Sequence, residues 1–243
     1  MVVLSMSYKE IYDGLEADIS KLHYQRDKLL PAISKEFRSE NRFPNYKWRE
    51  YKPLSGNKYL ILYCAQNSLQ IDTPLVRYCA LIWDDNYRFV ITWMKGDYKH
   101  SSLHQFEPTP IIHAYTNHFF DQYKKRFLKD DSLSSNDVVA KFLMRNYTYT
   151  PIEINDSINR NISSKDDSYK RGFSIEDGMC FTRFDMDGDF YDIDDLGKDE
   201  VYAICFLYTT YMNKDGMSSE QTEAIKKEEE KAWASFFRRR GIL

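Results

Sequence analysis

Between residues 46 and 94 the sequence repeats a strand-like pattern four times, so any fold for this chain has to place these strands together. Each run is rich in aromatic and β-branched residues, which favour a pleated and partly buried backbone. The runs are residues 46–51, 59–64, 76–83 and 87–94. Only residues 84–86 separate the last two runs, a length typical of a tight hairpin. The pattern predicts four consecutive antiparallel strands.

The second half of the chain adds three predicted strands, at residues 178–185, 189–193 and 201–212. Asp187 and Gly188, between the first two of these runs, are the residue types of a type I′ turn. Residues 155–168 are rich in Asn, Asp and Ser, and we expect a mobile loop there.

Apolar residues that recur every three or four positions predict the helices. A long amphipathic helix is predicted over residues 7–30, and Pro31 is expected to end it. The other predicted helices are residues 110–128, 136–144 and 218–240. The sequence therefore predicts an α+β fold in a single domain, residues 1–243. Antiparallel sheet or sheets of about seven strands would pack against N-terminal, central and C-terminal helices.

Composition favours a cytoplasmic globular protein. Hydrophobic residues make up 42% of the chain, enough for a large core, and no run is long and uncharged enough for a membrane helix. The first residues lack the pattern of an export signal. The four cysteines are widely spaced within apolar runs, and we expect them to be buried and reduced. Glycine-rich phosphate-binding motifs do not occur, so no nucleotide cofactor is predicted.

Four of the five histidines fall between residues 100 and 118. His100 and His104 have the spacing of two zinc ligands on a helix, but the glutamate of the HExxH motif is missing between them. We therefore expect structural histidines here, His113 among them, and no metal cofactor; zinc binding is the alternative. The acidic run that begins at Asp185 lacks the spacing of a calcium loop and is predicted to be a charged hairpin.

The segment that contains His118 carries the clearest candidate for chemistry. His118, Gln122 and Arg126 are spaced four residues apart and would line one face of the predicted helix. Tyr123 lies on the adjoining apolar face, which would dock on the sheet. An imidazole can transfer a proton near neutral pH, and a guanidinium can stabilise an anionic phosphorus centre. The spacing also fits an amphipathic surface helix with solvated polar side chains, which is the alternative.

His118, Tyr123 and Arg126, followed by a short loop and a second helix, form a pattern that resembles a family of uncharacterised bacterial proteins. That family is similar to the toxin-type ribonucleases of the barnase and RelE fold group. The resemblance covers roughly residues 100–221, and Gln122 stands where the family pattern has an arginine.

The resemblance implies a metal-independent ribonuclease site. His118 would act as base or acid, and Arg126 would hold the phosphate. Tyr123 or Thr210 would be an auxiliary donor, and Gln122 would contact the substrate. RNA, or a protein that neutralises the activity, would then be the partner.

A non-catalytic module that binds a protein partner is the alternative function, and one geometric expectation separates the two. In a nuclease, His118 and Arg126 would share a concave, solvent-accessible pocket. A His118 ring packed among Phe side chains, or an Arg126 paired with the acidic hairpin, would favour the binding module.

Overall fold

Five α-helices and nine β-strands occur in the computed structural model, which describes residues 1–84, 87–99, 106–154, 158, 171–189 and 200–239. The helices are α1 (Tyr8–Glu16), α2 (Ile19–Arg38), α3 (Asn117–Tyr123), α4 (Ser135–Arg145) and α5 (Ser219–Arg239). The strands are β1 (Asn45–Tyr51), β2 (Lys58–Ala65), β3 (Leu75–Asp84), β4 (Tyr87–Lys99), β5 (Phe106–Thr116), β6 (Thr150–Glu153), β7 (Arg171–Ile175), β8 (Gly178–Asp189) and β9 (Glu200–Asn213).

The strands form one mixed sheet in the order β1-β2-β3-β4-β5-β9-β8-β7-β6. Every neighbouring pair is antiparallel except β5 and β9, which run parallel through residues 111–115 and 204–208. A parallel pair needs a long crossover, which α3, α4 and β6–β8 provide here. The sheet therefore consists of two antiparallel halves that meet at one parallel seam.

Helices cover both faces of this sheet. On one face, α3 and α4 pack over a core that includes Tyr115, Phe142 and Tyr208. On the other face, α1 and α2 cover a second core, and Ile225 of α5 packs over Phe181 in a smaller one. The result is a sheet between two helical layers, which bury aromatic residues on both of its faces.

The sheet opens between β3 and β4. Their ladder joins only Ala80–Asp84 to Tyr87–Ile91, although β3 begins at Leu75 and β4 continues to Lys99. Beyond this point β3 pairs only with β2, and β4 pairs only with β5. If the ladder continued in register, Tyr78 would lie opposite Trp93. The two strands diverge instead, and a gap separates them in the middle of the sheet.

The four N-terminal predicted strands and the helix at 136–144 are confirmed by β1–β4 and α4. All four cysteines are buried and free, as expected. The prediction of about seven strands is only partly right, because the described residues form nine. It lacks β5, β6 and β7, and it divides off a strand at 189–193, whereas β8 itself continues to Asp189.

The predicted helix at 110–128 is wrong in its first half, where the chain forms β5. Ile111 and Ile112 are β-branched, and in β5 they pair with β4 on one side and β9 on the other. Pro108 and Pro110 fit because the ladder between β5 and β9 does not include that end of β5. The helix begins only after Thr116, whose hydroxyl accepts a hydrogen bond from the main-chain N–H of Phe119.

Two other boundaries also differ from the prediction. The single helix predicted at 7–30 is wrong, because the chain forms α1 and α2 there with Ala17 and Asp18 between them. Pro31 does not end this region either, since α2 continues to Arg38 and buries Ile33 and Phe37 beyond the proline. Asp187 and Gly188 form no turn, because β8 continues through them with a shift of register against β9. Residues 190–193 of the predicted strand lie outside the described residues, as does the predicted loop at 155–168 except for the buried Ile158.

The carboxylate of Asp18 attaches the junction between α1 and α2 to the sheet. It accepts hydrogen bonds from the Tyr59 hydroxyl at 2.9 Å and the Asn57 amide at 3.0 Å. Ser55 and Lys21 donate to it as well. Burial of this 1% exposed residue would by itself raise the pKa of the carboxyl, but the donors outweigh that effect and lower the pKa to about 2.

We expect Asp18→Asn to lower the free energy of unfolding at pH 7 by about 1–2 kcal/mol, because the folded state favours the ionised carboxyl. This stabilisation is fully present above the ordinary pKa of 3.8 and is lost as the pH falls toward 2. Urea denaturation at pH 7 and pH 3 measures it. Asp13→Asn, which removes the exposed partner of Lys9, is the control and should change stability by less than about 1 kcal/mol. Equal losses in the two variants would contradict the assignment.

Candidate functional site

The residues that the sequence predicts as a catalytic site do not all lie on one surface of the structure. His118 lies in the first turn of α3 with its side chain exposed, and Gln122 follows one turn later, half-buried. Arg126 is also exposed, but it lies beyond the end of α3, in a π-helical turn over Lys124–Leu128. His118 and Arg126 therefore belong to one solvent-facing segment whose helical geometry changes between them.

Arg126 is tied to the end of β9. Its Nη1 donates a hydrogen bond to the main-chain carbonyl of Tyr211 at 2.6 Å, and the Asn213 amide donates to the main-chain carbonyl of Arg126 at 3.3 Å. Among the described residues, the Arg126 guanidinium thus bonds a carbonyl oxygen of β9 and not the acidic run near Asp185.

The hydroxyls of Tyr123 and Thr210 do not share the solvent-facing surface of His118 and Arg126. Tyr123 is buried, and its hydroxyl donates to the Asp177 carboxylate at 2.7 Å. Thr210 is half-buried and pairs with Phe181, which packs beneath α5, so Thr210 lies on the sheet face opposite α3. The structure therefore brings neither hydroxyl to the surface that carries His118.

Asp177, which the sequence did not single out, is the centre of a buried polar network. Besides Tyr123, its carboxylate accepts hydrogen bonds from Arg145 Nε at 2.9 Å and Nη2 at 2.8 Å, and from the Asn146 amide at 3.1 Å. Burial acts to raise the pKa of this carboxyl, but Arg145 and Tyr123 hold it below its ordinary range. These hydrogen bonds hold the Asp177 carboxylate in a fixed position relative to α3 and the end of α4.

A cavity of about 850 Å³ occupies the gap between β3 and β4. Its walls come from these two strands, β5, β7, β9 and the connector between α4 and β6. Val76 and Trp93 face α1 and α2, whereas Arg77 and His113 face α3 and α4. Because residues of both sheet faces line it, the cavity extends through the opened sheet. Its volume is within the range of small-molecule sites.

His113 lies on β5 at the wall of this cavity. Its Nδ1 is 2.7 Å from the Tyr208 hydroxyl, and its ring stacks on Phe206 with centroids 5.5 Å apart. The ring is enclosed by protein but keeps some accessible surface, which belongs to the cavity. Burial, together with the positive charge of Arg77, lowers the pKa of His113 to about 4. The imidazole is therefore neutral near pH 7.

Arg77 and three aromatic side chains complete this part of the wall. Arg77 Nη1 donates to the main-chain carbonyl of Leu143 at 2.6 Å, and the guanidinium carbon lies 5.0 Å from the ring centroid of Tyr147. Tyr149 and Phe173 line the same cavity and flank the His113 ring. This part of the cavity wall thus combines apolar aromatic surfaces with the Arg77 cation and the neutral imidazole of His113.

The described residues contain no group of three or more His, Cys, Asp or Glu side chains that could hold a metal ion. His100 and His104, the pair with zinc-ligand spacing, lie outside those residues, and His113 bonds Tyr208. Over the same parts of the chain, none of the helices has the length and apolar character that crossing a membrane requires.

No family model, curated protein or solved structure matches this chain. One signal in the sequence points to the cavity: Arg77 is a charged residue within the apolar strand pattern of β3. His113 has a comparable position in β5, but the predicted helix at 110–128 concealed its strand context.

We expect His113→Gln to reduce the pH dependence of stability between pH 6.5 and pH 4. The folded state favours the neutral imidazole, whereas the unfolded chain takes up a proton below its ordinary pKa of 6.5. Stability from this residue is therefore present above pH 6.5 and is lost as the pH falls toward 4, by about 2 kcal/mol at pH 4.5.

Urea denaturation at pH 7 and pH 4.5 measures this difference for both proteins. The exposed His23 provides the matched control, and His23→Gln should keep the wild-type pH dependence. If His113→Gln loses as much stability as the wild type over this interval, the neutral buried imidazole is refuted.

Proposed function

We propose that this protein binds a small, mainly apolar molecule in the cavity between β3 and β4. The observation that carries the proposal is the divergence of two neighbouring strands within a continuous sheet, with about 850 Å³ of space between them. Protein interiors are normally close-packed, and an opening of this size reduces the contacts that stabilise a core. A bound molecule would restore those contacts.

The chemistry of the walls supports the same function. Tyr147, Tyr149, Phe173 and Phe206 give flat apolar surfaces on the side of α3 and α4. The edges of β3 and β4 that face the gap lack ladder partners over residues 75–79 and 92–95, so backbone N–H and C=O groups there can bond a ligand or water. Apolar walls with a few polar groups are typical of small-molecule sites.

RNA cleavage at His118 is a second proposal, and it rests on a separate observation. His118 and Arg126 are both exposed on one segment, as a phosphodiester substrate would require. The burial of Tyr123 and the position of Thr210 remove the two auxiliary donors, so the site would depend on His118, Arg126 and Gln122 alone. RNA or a neutralising protein would be the partner.

Binding in the cavity is tested with N-phenyl-1-naphthylamine, a neutral aromatic dye whose fluorescence rises in apolar surroundings. We expect saturable binding to the wild type. Thr92 lies on β4 directly opposite His113 and lines the cavity, so Thr92→Trp should fill the space and weaken binding by about tenfold or more.

The matched control is Thr222→Trp, on the exposed side of α5, which should bind the dye like the wild type. Thermal melts of all three proteins establish that they are folded. Dye binding that is absent from the wild type, or that Thr92→Trp leaves unchanged, would contradict the cavity proposal.

The ribonuclease proposal is tested by incubating a fluorescent RNA with the protein in EDTA. We expect cleavage by the wild type and a loss of about 100-fold or more in His118→Ala, because a proton-transferring group contributes on that order. His23→Ala, which removes another exposed histidine, should cleave like the wild type. Equal cleavage by wild type and His118→Ala, or none by the wild type, would overturn this second proposal.

A further inference from the structure

Arg77 is a cation without a carboxylate partner among the described residues. Other arginines of this chain form ion pairs, such as Arg145 with Asp177 and Arg49 with Glu36. The hydrogen bonds of Arg77 go to main-chain carbonyls, and both come from Nη1, which donates to Leu143 at 2.6 Å and to Asn146 at 3.2 Å. Within the described chain, Nε and Nη2 make no hydrogen bond. A half-buried guanidinium in this state favours an anion that binds next to it.

The charge of Arg77 reaches into the cavity. Arg77 lines the cavity together with His113, and its charge contributes to lowering the pKa of that imidazole. The Tyr208 hydroxyl stays protonated, since burial raises its pKa far above the ordinary value, and it can donate to His113 Nδ1. In the tautomer in which Tyr208 donates, the imidazole proton resides on Nε2, which is then a hydrogen-bond donor.

We propose that the ligand of this cavity is a planar aromatic molecule with a single carboxylate, which Arg77 binds while Tyr147, Tyr149 and Phe206 contact the ring. This inference rests on the proposed binding function and adds the chemical class of the ligand. A guanidinium matches a carboxylate through two parallel N–H donors, and aromatic walls favour offset or edge-on contact with a flat ring.

The opposite end of the cavity fixes the orientation of such a ligand. Glu16 lines that end, and its carboxylate accepts a hydrogen bond from Trp93 Nε1 at 3.0 Å. A second negative charge there would be repelled, so the ligand carboxylate is directed to the side of Arg77 and His113. A dianion with charges at both ends would be disfavoured for the same reason.

Competition with the neutral dye N-phenyl-1-naphthylamine separates this inference from the binding function itself. The competitors are 2-naphthoic acid, which is ionised at pH 7, and 2-acetylnaphthalene, a neutral ketone with the same ring system and a similar size. We expect the wild type to bind the naphthoate about 10- to 100-fold more tightly than the ketone, in line with a charge-assisted pair.

In Arg77→Gln the ratio of the two competitors should fall to near unity. Glutamine keeps an N–H donor for the carbonyls of Leu143 and Asn146, so the end of α4 retains a partner. Arg49→Met, which removes a cation of β1 that does not line the cavity, should keep the wild-type ratio.

Each result decides a different question. If the wild type does not bind the dye, the cavity proposal fails. If the dye binds but the wild type does not prefer the naphthoate, the inference about the ligand fails and the cavity function survives. A preference that persists in Arg77→Gln also overturns the inference, because the anion would then bind elsewhere. The wild-type ratio decides the inference even if a variant does not fold.

Discussion

The carboxylate of Asp177 is the interaction on which the central part of this structure depends. It joins the β7–β8 turn to α3 through Tyr123 and to the end of α4 through Arg145 and Asn146. The main-chain carbonyl of Asp177 also accepts the Tyr211 hydroxyl of β9 at 2.5 Å. Loss of one partner from a buried ion pair costs about 3–5 kcal/mol, because the other charge stays buried without compensation. Asp177 therefore holds α3 and α4 through its side chain and β9 through its main-chain carbonyl.

This network extends to the cavity through Asn146. The Asn146 side chain donates to Asp177, and its main-chain carbonyl accepts from Arg77. Gly178 makes the geometry possible at the other end, since a Cβ at this position would lie 2.2 Å from the main-chain oxygen of Met212. The tight β7–β8 turn thus lets Asp177 approach α4. Arg77 in turn bonds the end of α4, and its position at the cavity wall follows from the same set of contacts.

The sequence predicted what depends on local pattern. Strands β1–β4 and helix α4 were recognisable because alternating or helical periodicity and turn residues occur within a few positions of each other. The segment before Thr116 was assigned to a helix because two adjacent isoleucines fit either structure, and only pairing with β4 and β9 decides for a strand. The short strands β6 and β7 depend in the same way on neighbours distant in sequence.

The two candidate sites differ in how far the sequence could reveal them. His118 and Arg126 are eight residues apart, so their common segment was predictable, although the π-helical turn that contains Arg126 was not. No local sequence pattern predicts the cavity. It arises where the β3–β4 ladder stops at Ala80 and Ile91 while both strands continue with other partners. Arg77 is a charged residue in an apolar strand, but only the opening between β3 and β4 places it at a cavity wall.

The cavity lies next to the parallel pair β5 and β9, where the two antiparallel halves of the sheet meet. His113 of β5 bonds Tyr208 of β9 across this seam, and the Tyr115 ring stacks on Tyr208 with centroids 4.2 Å apart. The cavity walls come from β3 and β4 in one half of the sheet and from Phe173 of β7 in the other. Neither half alone contains the site. A ligand in this cavity would contact both halves at once, and its binding energy would add directly to the stability of their association.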